Sequence, residues 1–211
     1  MSSKNKPQKG EFYIIEPDMR RGGPGHGVVF DNIDRLLTPP RLILWPEGGG
    51  FPPLSETPRL IYNPKRGPPP EDLEGGMSGY WLVSERLKSV FQDIDPEGFE
   101  FVECDYRLED DSKGPSYFLC DVVRTLDALD EDNSKLNIEI SDEFAEGKYY
   151  NLSGGARLVF KKNVVSGAHI FHLPYCGFVF CDRALRDAVH EAGIGVGKAS
   201  DGLWFEDAAD Y

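Results

Sequence analysis

The chain has 211 residues and lacks any long apolar run. No stretch approaches the roughly 20 consecutive apolar residues that a membrane-spanning helix requires. The first ten residues, Met1 to Gly10, carry positive charge, but no apolar segment of the kind found in secretory signals follows them. We therefore expect a cytoplasmic protein that does not associate with membranes.

Basic residues are also scarce. There are 23 Lys and Arg against 36 Asp and Glu, which gives a formal net charge of −13 and a sequence pI near 4.7. A protein that follows a phosphate backbone needs a basic surface that displaces counterions. This balance argues against nucleic acid as a partner, and it favours a partner with a basic surface.

Cysteine is rare, and the familiar catalytic motifs are missing. The four cysteines are too few for a disulfide framework in a chain of this size, and neither G-x-S-x-G nor H-E-x-x-H occurs. Two histidines and two cysteines do lie close together in sequence, but their spacing on strands would point them to opposite faces. We expect no metal, no cofactor and no catalysis. A small metal-binding protein or enzyme remains the alternative, and it would use His169, His172, Cys176 and Cys181.

What the sequence does contain is enough apolar and aromatic side chains for a core, at 40% and 12% of residues. Helical periodicity follows Ser84 and Asp182, both of which are good N-cap residues. Short apolar runs predict strands, and the segment 122–129 is predicted to turn helical. These strands are expected at 12–15, 28–30, 80–83, 99–104, 117–120, 158–160, 170–173 and 178–181. The fold class is therefore α+β, with a mixed, largely antiparallel sheet and a few amphipathic helices.

The two strand-helix segments resemble one another. Superposing Gly79 on Gly177 aligns apolar positions of the two helices 98 residues apart, which predicts a degenerate strand-helix repeat. Two amphipathic units that merely share a period would explain the match equally well. The aligned pairs are Leu87 with Leu185, Val90 with Ala188, Phe91 with Val189 and Ile94 with Ala192.

Proline is concentrated in one stretch, since ten of the 16 prolines lie between Pro39 and Pro70. Such a stretch is expected to run as a long extended loop with turns, without regular helix or central strand. Its apolar residues predict that it packs against the body of the protein. These residues are Leu42, Ile43, Leu44, Trp45, Phe51, Leu60, Ile61 and Tyr62. We expect residues 1–78 to form N-terminal strands plus this region, and residues 79–211 to form a core domain, within one compact unit overall.

Negative charge is concentrated as well. Residues 98–146 contain 15 acidic and 4 basic groups, so this segment carries −11 of the net −13. A solvated acidic face is the simpler interpretation, and a surface that receives a basic partner is the functional one. The residues proposed for such a surface are Glu103, Asp105, Glu109, Asp110, Asp111, Glu131 and Asp132.

Several segments occur in an order that is informative as a whole. They are Tyr80 to Leu87, Tyr117 to Asp130 with Ser134, His169 to Phe171, Cys181 to Ile194, and Trp204-Phe205. Taken together, they resemble the immunity protein 11 family of bacterial polymorphic toxin systems. The similarity runs from about residue 79 to residue 205, and Phe12-Tyr13 fits it more loosely.

This resemblance implies a cytoplasmic immunity protein that binds a cognate toxin effector and occludes it without catalysis of its own. The resemblance does not identify which residues of this chain would contact the toxin. The stretch from Pro39 to Pro70 departs from the compact pattern, so it is either a variable loop or part of the toxin-binding surface.

Overall fold

The computed structural model describes residues 6–21, 25–37, 46, 48–144, 146–196 and 201–211. Thirteen strands and three α-helices occur among these residues. In chain order they are β1 (Phe12–Pro17), β2 (Val28–Phe30), β3 (Arg59–Tyr62), β4 (Leu73–Met77), β5 (Tyr80–Ser84), α1 (Glu85–Ile94), β6 (Phe99–Glu103), β7 (Asp105–Arg107), β8 (Tyr117–Val122), β9 (Asn137–Ile140), β10 (Lys148–Asn151), α2 (Lys162–Val165), β11 (Ile170–His172), β12 (Val179–Asp182), α3 (Arg183–Glu191) and β13 (Leu203–Asp207).

Two four-stranded antiparallel sheets share one topology. The first sheet has the order β4-β5-β8-β6, and the second has the order β11-β12-β1-β13. In each, a hairpin leads into a long helix, and the strand after that helix lies at the sheet edge. The position of β8 in the first sheet is held in the second by β1, which comes from the start of the chain. The predicted α+β class with mostly antiparallel pairing is confirmed.

The long helices begin and pack in the same way. Ser84 caps α1 by accepting a hydrogen bond from the Leu87 N–H at 3.2 Å, and Asp182 caps α3 by accepting one from the Leu185 N–H at 3.0 Å. Gly193 follows α3 with φ of +75°, as a helix C-terminal glycine does. The two helices also pack against each other.

Cation-aromatic contacts extend the repeat beyond the helices. The Lys88 ammonium lies 4.5 Å from the Phe118 ring centroid, and the Arg186 guanidinium lies 4.6 Å from that of Tyr13. Lys88 and Arg186 are 98 residues apart, and Phe118 and Tyr13 occupy equivalent register positions beside β5 and β12. A shared helical period does not account for equivalent contacts between different strands, so the structure confirms the repeat. We call β4, β5, α1, β6 and β8 the first repeat, and β11, β12, α3, β13 and β1 the second.

Three apolar cores follow from the alternation of side chains along these strands. The inner faces of both sheets and the two long helices form a central core, in which Leu87 and Leu185 are fully buried. The outer face of the first sheet, with Leu82, belongs to another core. The outer face of the second sheet, with Phe180, belongs to a third.

Different segments cover the two outer faces. A three-stranded sheet of order β2-β3-β7 lies over the first, and its β3–β7 pair is parallel. Residues 126–165, including the β9–β10 hairpin, contribute to the core over the second. The helices among the described residues are too short and too polar to span a bilayer.

The proline-rich stretch departs from one expectation. It packs against the body as predicted, since Leu60 is fully buried, but β3 is the middle strand of its sheet. The expectation that this stretch excludes a central strand was therefore wrong. Pro58 and Pro64 flank β3 without interrupting it, so no ladder N–H is lost. Of the residues predicted to pack here, Leu42, Ile43, Leu44 and Trp45 lie outside the described residues.

Two further predictions of local structure were wrong. Residues 122–129 form no helix, because the backbone there bonds to neighbouring segments: the Arg124 carbonyl accepts from the His172 N–H, and the Leu126 N–H donates to the His172 carbonyl. Residues 158–160 make only an isolated bridge between Phe160 and Leu129. Both segments pack on the second sheet, and that tertiary contact outweighs their local preference.

Candidate functional site

Five of the predicted partner-binding acids lie in one neighbourhood. Glu103 ends β6, Asp105 begins β7, and the other three lie in the tight turn that follows β7, closed by a hydrogen bond from the Leu108 N–H to the Ser112 carbonyl. The adjacent residues of the turn are Glu109, Asp110 and Asp111. The end of β6, the start of β7 and the turn after β7 thus carry acidic groups one after another.

Arginines neutralise part of this charge. Asp105 pairs with Arg107 at 2.7 Å, and Asp111 pairs with Arg59 at 2.8 Å. In the described part of the chain, no Lys or Arg pairs with Glu103, Glu109 or Asp110, and all three are exposed. Ser112 hydrogen bonds lower the pKa of Asp110, which keeps its carboxylate ionised. The charge available to a partner is therefore carried by Glu103, Glu109 and Asp110.

An open groove of about 640 Å³ adjoins Glu103. Its apolar lining includes Phe51, Leu54 and Val102, and its acidic lining consists of Glu56, Glu100 and Glu103. We call this surface the acidic groove. Arg35 pairs with Glu56 at 2.9 Å, so Glu100 and Glu103 supply the negative charge beside this apolar surface. Apolar surface beside charge of one sign suits a protein-binding site, because burial supplies affinity and charge supplies orientation.

A glycine turn held by carboxylates immediately precedes Phe51, which lines the acidic groove. Gly48, Gly49 and Gly50 have φ values of +101°, +84° and +82°, which side-chain-bearing residues rarely adopt. The Gly50 N–H donates to Asp121 Oδ2 at 2.6 Å, and the Phe51 N–H donates to Glu100 Oε2 at 3.1 Å. The turn is fixed to strands β8 and β6 by these contacts.

The remaining two predicted acids lie elsewhere. Glu131 accepts hydrogen bonds from Lys148 at 2.6 Å and from the Tyr150 hydroxyl at 2.5 Å, and these bonds lower its pKa. Tyr150 belongs to the core over the second sheet, whereas β7 lies over the first. Asp132 is exposed beside Glu131. The structure therefore groups five of the seven acids and associates Glu131 and Asp132 with the other repeat.

The four residues of the metal or enzyme alternative do not form one site, although His172 and Cys176 line a common cleft. The Nδ1 atom of His169 lies 2.9 Å from Asp182 Oδ2, and Cys181 is fully buried in the central core. Cys176 packs against the core over the second sheet, where burial raises the pKa of its thiol to about 11. No three His, Cys, Asp or Glu side chains of the described residues are arranged to hold a metal ion.

Sequence reasoning missed a cleft of about 470 Å³ between the repeats. Gly79 and Trp81 of the first repeat line it, as do Gly177 and Val179, which lie 98 residues further along. Only the equivalence of Gly79 and Gly177 signalled it in sequence. The ionisable groups in the lining are Asp121, Glu146, His172 and Cys176. We call this the inter-repeat cleft.

Comparison with known families decides how these surfaces are interpreted. The model of the immunity protein family Imm11 matches residues 11–210. The chain belongs to the Imm11 family. A search of curated proteins found no match. The Imm11 match begins just before β1, so it includes the N-terminal strand that completes the second sheet.

Family membership indicates an immunity function against toxins. It points to a protein that acts without catalysis. The acidic groove and the inter-repeat cleft are therefore considered as surfaces for a protein partner.

Proposed function

We propose that this chain neutralises a cognate toxin by binding it directly and occluding its active surface, with no catalysis of its own. The observation that carries the proposal is the match of residues 11–210 to the immunity protein family. The acidic groove, with the exposed acids beside it, supplies a surface suited to that role. We expect it to meet a basic surface of the toxin in the cytoplasm.

Unpaired surface acids favour fast capture. Glu103, Glu109 and Asp110 are exposed, and no Lys or Arg of the described residues pairs with them. Complementary charge raises association rates above the roughly 10⁵–10⁶ M⁻¹s⁻¹ that unsteered protein pairs reach. An immunity protein benefits from this because it must bind the toxin before damage accumulates. A toxin that acts on nucleic acid would offer a suitable basic substrate cleft.

The acidic groove also contains an aromatic ring that can contribute to binding affinity. Phe51 stacks on Tyr80 at 4.4 Å between centroids, and its own ring is only partly buried. Aromatic groups at the centre of an interface commonly contribute much of the binding energy. The carboxylates that fix the glycine turn hold this ring in place before the partner arrives, so little ordering cost remains for binding.

Co-expression tests the proposal. The toxin gene adjacent to the gene for this chain is induced in bacteria with and without this chain, and growth is recorded. We expect growth to be restored by the chain, and the two proteins to co-purify. Failure of the wild-type chain to restore growth or to bind would contradict the proposal.

A further inference from the structure

The inter-repeat cleft is lined by an acidic group, Asp121, that pairs with no Lys or Arg of the described residues. Asp121 lies on β8 and lines the cleft, and its Oδ2 accepts the Gly50 N–H. Among the described residues, none forms an ion pair with it. Burial raises the pKa of Asp121, because desolvation disfavours the carboxylate.

Two other acids of this fold show what burial normally entails. Asp72 is 8% exposed and Asp95 is 4% exposed. Each accepts both hydrogen bonds of a guanidinium, Asp72 from Arg86 and Asp95 from Arg124. Paired in this way, a buried carboxylate is stabilised by charge and by geometry together. Asp121 has backbone donors but no guanidinium partner among the described residues.

The rest of the cleft lining also suits a cation. Glu146 adds a second acidic group, and no Lys or Arg contributes to the described lining. His172 is the only histidine in that lining, and burial lowers its pKa, which favours the neutral imidazole near pH 7. Trp81 provides an indole on which a guanidinium can stack. The lining therefore combines negative charge, an aromatic surface and apolar walls.

We infer that the inter-repeat cleft binds an arginine side chain of the toxin, with Asp121 as its counter-ion and Trp81 as its stacking partner. This inference rests on the proposed function, since it names an anchor of the same partner. Arginine is preferred to lysine because its planar guanidinium can bond a carboxylate and stack on a ring at once. Arginine is also enriched among the residues that dominate interface energies.

The inter-repeat cleft adjoins the acidic groove. Gly49 lines the cleft, and Phe51, two residues later, lines the groove. Asp121 and Glu100 hold this turn from neighbouring positions of β8 and β6. One partner surface can therefore cover the groove and insert a side chain into the cleft.

The test uses small probes on the full chain, so that it does not depend on the toxin. N-acetyl-arginine methylamide and its neutral isostere N-acetyl-citrulline methylamide are titrated into ¹⁵N-labelled protein, and amide and indole shifts are followed by NMR. We expect saturable shifts at Trp81, Gly49 and Gly177 with the arginine probe, and at least ~10-fold weaker binding of the citrulline probe. The lysine analogue should bind more weakly than arginine.

Matched variants isolate the carboxylate. Asp121→Asn keeps an acceptor for the Gly50 N–H and removes only the charge, so we expect ~10-fold weaker binding of the arginine probe. Glu16→Gln is the control, because Glu16 holds the same register position in the second repeat, outside the described lining of the cleft. It should leave binding of the probe unchanged.

Equal binding of the arginine and citrulline probes to the wild-type chain would overturn the inference. So would shifts that map away from the cleft, or unchanged binding in Asp121→Asn. Each of these results can occur while the wild-type chain still restores growth, so failure of the cleft assignment is distinguishable from failure of the immunity function. With the toxin itself, Asp121→Asn should raise the dissociation rate by ~10-fold, and Glu16→Gln should not.

Discussion

The two repeats share a frame, that is, the same arrangement of four strands and one long helix. They differ in the segments that pack over the outer face of each sheet. Both contain a hairpin, a capped helix and two further strands, and their helices contribute equivalent leucines to the central core. The first repeat is covered by a short sheet and a proline-rich segment, and that segment forms the acidic groove together with β6. The second is covered by residues 126–165, where Glu131 is paired with Lys148. The frame therefore accounts for stability, and the covering of the first repeat for the proposed binding surface.

The repeats are also joined by specific polar contacts. Asp95 follows α1 of the first repeat and accepts the backbone N–H groups of His169 and Ile170 at the start of β11. Its other hydrogen bonds come from Arg124, which also donates to the Ile170 carbonyl. This cluster joins the two repeats. Substitutions that break it therefore test how strongly one repeat stabilises the other.

The largest effect is expected at this junction. Arg124→Ala leaves the Asp95 carboxylate buried without its counter-ion, which should lower the free energy of unfolding by about 4 kcal/mol. Urea unfolding measures this value. Arg86→Ala is the matched control, because Arg86 pairs with Asp72 but has a side chain 53% exposed against 18% for Arg124. A loss in Arg124→Ala no larger than in the control would contradict the role of the junction.

Equivalent positions of the two helices should respond alike. Leu87→Ala and Leu185→Ala each remove a fully buried side chain from the central core and should each cost about 3 kcal/mol. Unfolding free energies of the two single variants and of the double variant give the coupling energy between the two leucines. Costs that differ more than twofold would show that the repeats do not share the central core evenly.

A smaller effect on stability is expected from the titration of His172, which lies where the repeats meet. Burial lowers its pKa, although the Asp121 carboxylate acts in the opposite direction. Because the unfolded chain then binds a proton more readily, stability should be full above the ordinary histidine pKa and decline below it, by at most about 1.4 kcal/mol per pH unit. Unfolding curves between pH 7.5 and 5.5 test this. His172→Gln should reduce the slope of the unfolding free energy against pH. An unchanged slope would contradict the role assigned to His172.

The smallest effect on stability is expected on the first repeat's outer surface. The triple variant Glu103→Gln, Glu109→Gln, Asp110→Asn should change the free energy of unfolding by no more than about 0.5 kcal/mol. Its association rate with the toxin at low salt should nevertheless fall by about tenfold, as stopped-flow fluorescence would show.

Its control removes three exposed acids from the two long helices, through Glu85→Gln, Asp93→Asn and Glu191→Gln. That variant reduces the net negative charge by the same amount but leaves the acidic groove intact. If both variants slow association to the same extent, net charge and not the groove governs capture.

The frame was predictable from sequence because its signals are local. Ser84 and Asp182 marked the starts of both helices, and the 98-residue offset predicted a repeat, which the cation-aromatic contacts then distinguished from a shared helical period. The coverings were not predictable, because they depend on distant contacts. Strand β3 forms between prolines by pairing with β2 and β7, and residues 122–129 remain extended because they bond to β11.

The candidate surface shows the same division. Charge summation located the acids of 98–146, but it could not show that Arg59 and Arg107 neutralise two of them. Nor could it separate Glu131 and Asp132 from the other five, since that requires the positions of the two sheets. The inter-repeat cleft was missed because its walls come from both repeats and its Asp121 is one acid among 15 in the segment.

Inhibition stoichiometry tests the central claim most directly. The purified toxin is titrated with this chain, and its residual activity is followed at toxin concentrations well above the dissociation constant. Direct occlusion predicts that activity falls linearly and is abolished at one chain per toxin. Full inhibition by substoichiometric chain, or full activity of the toxin at saturation, would contradict the account.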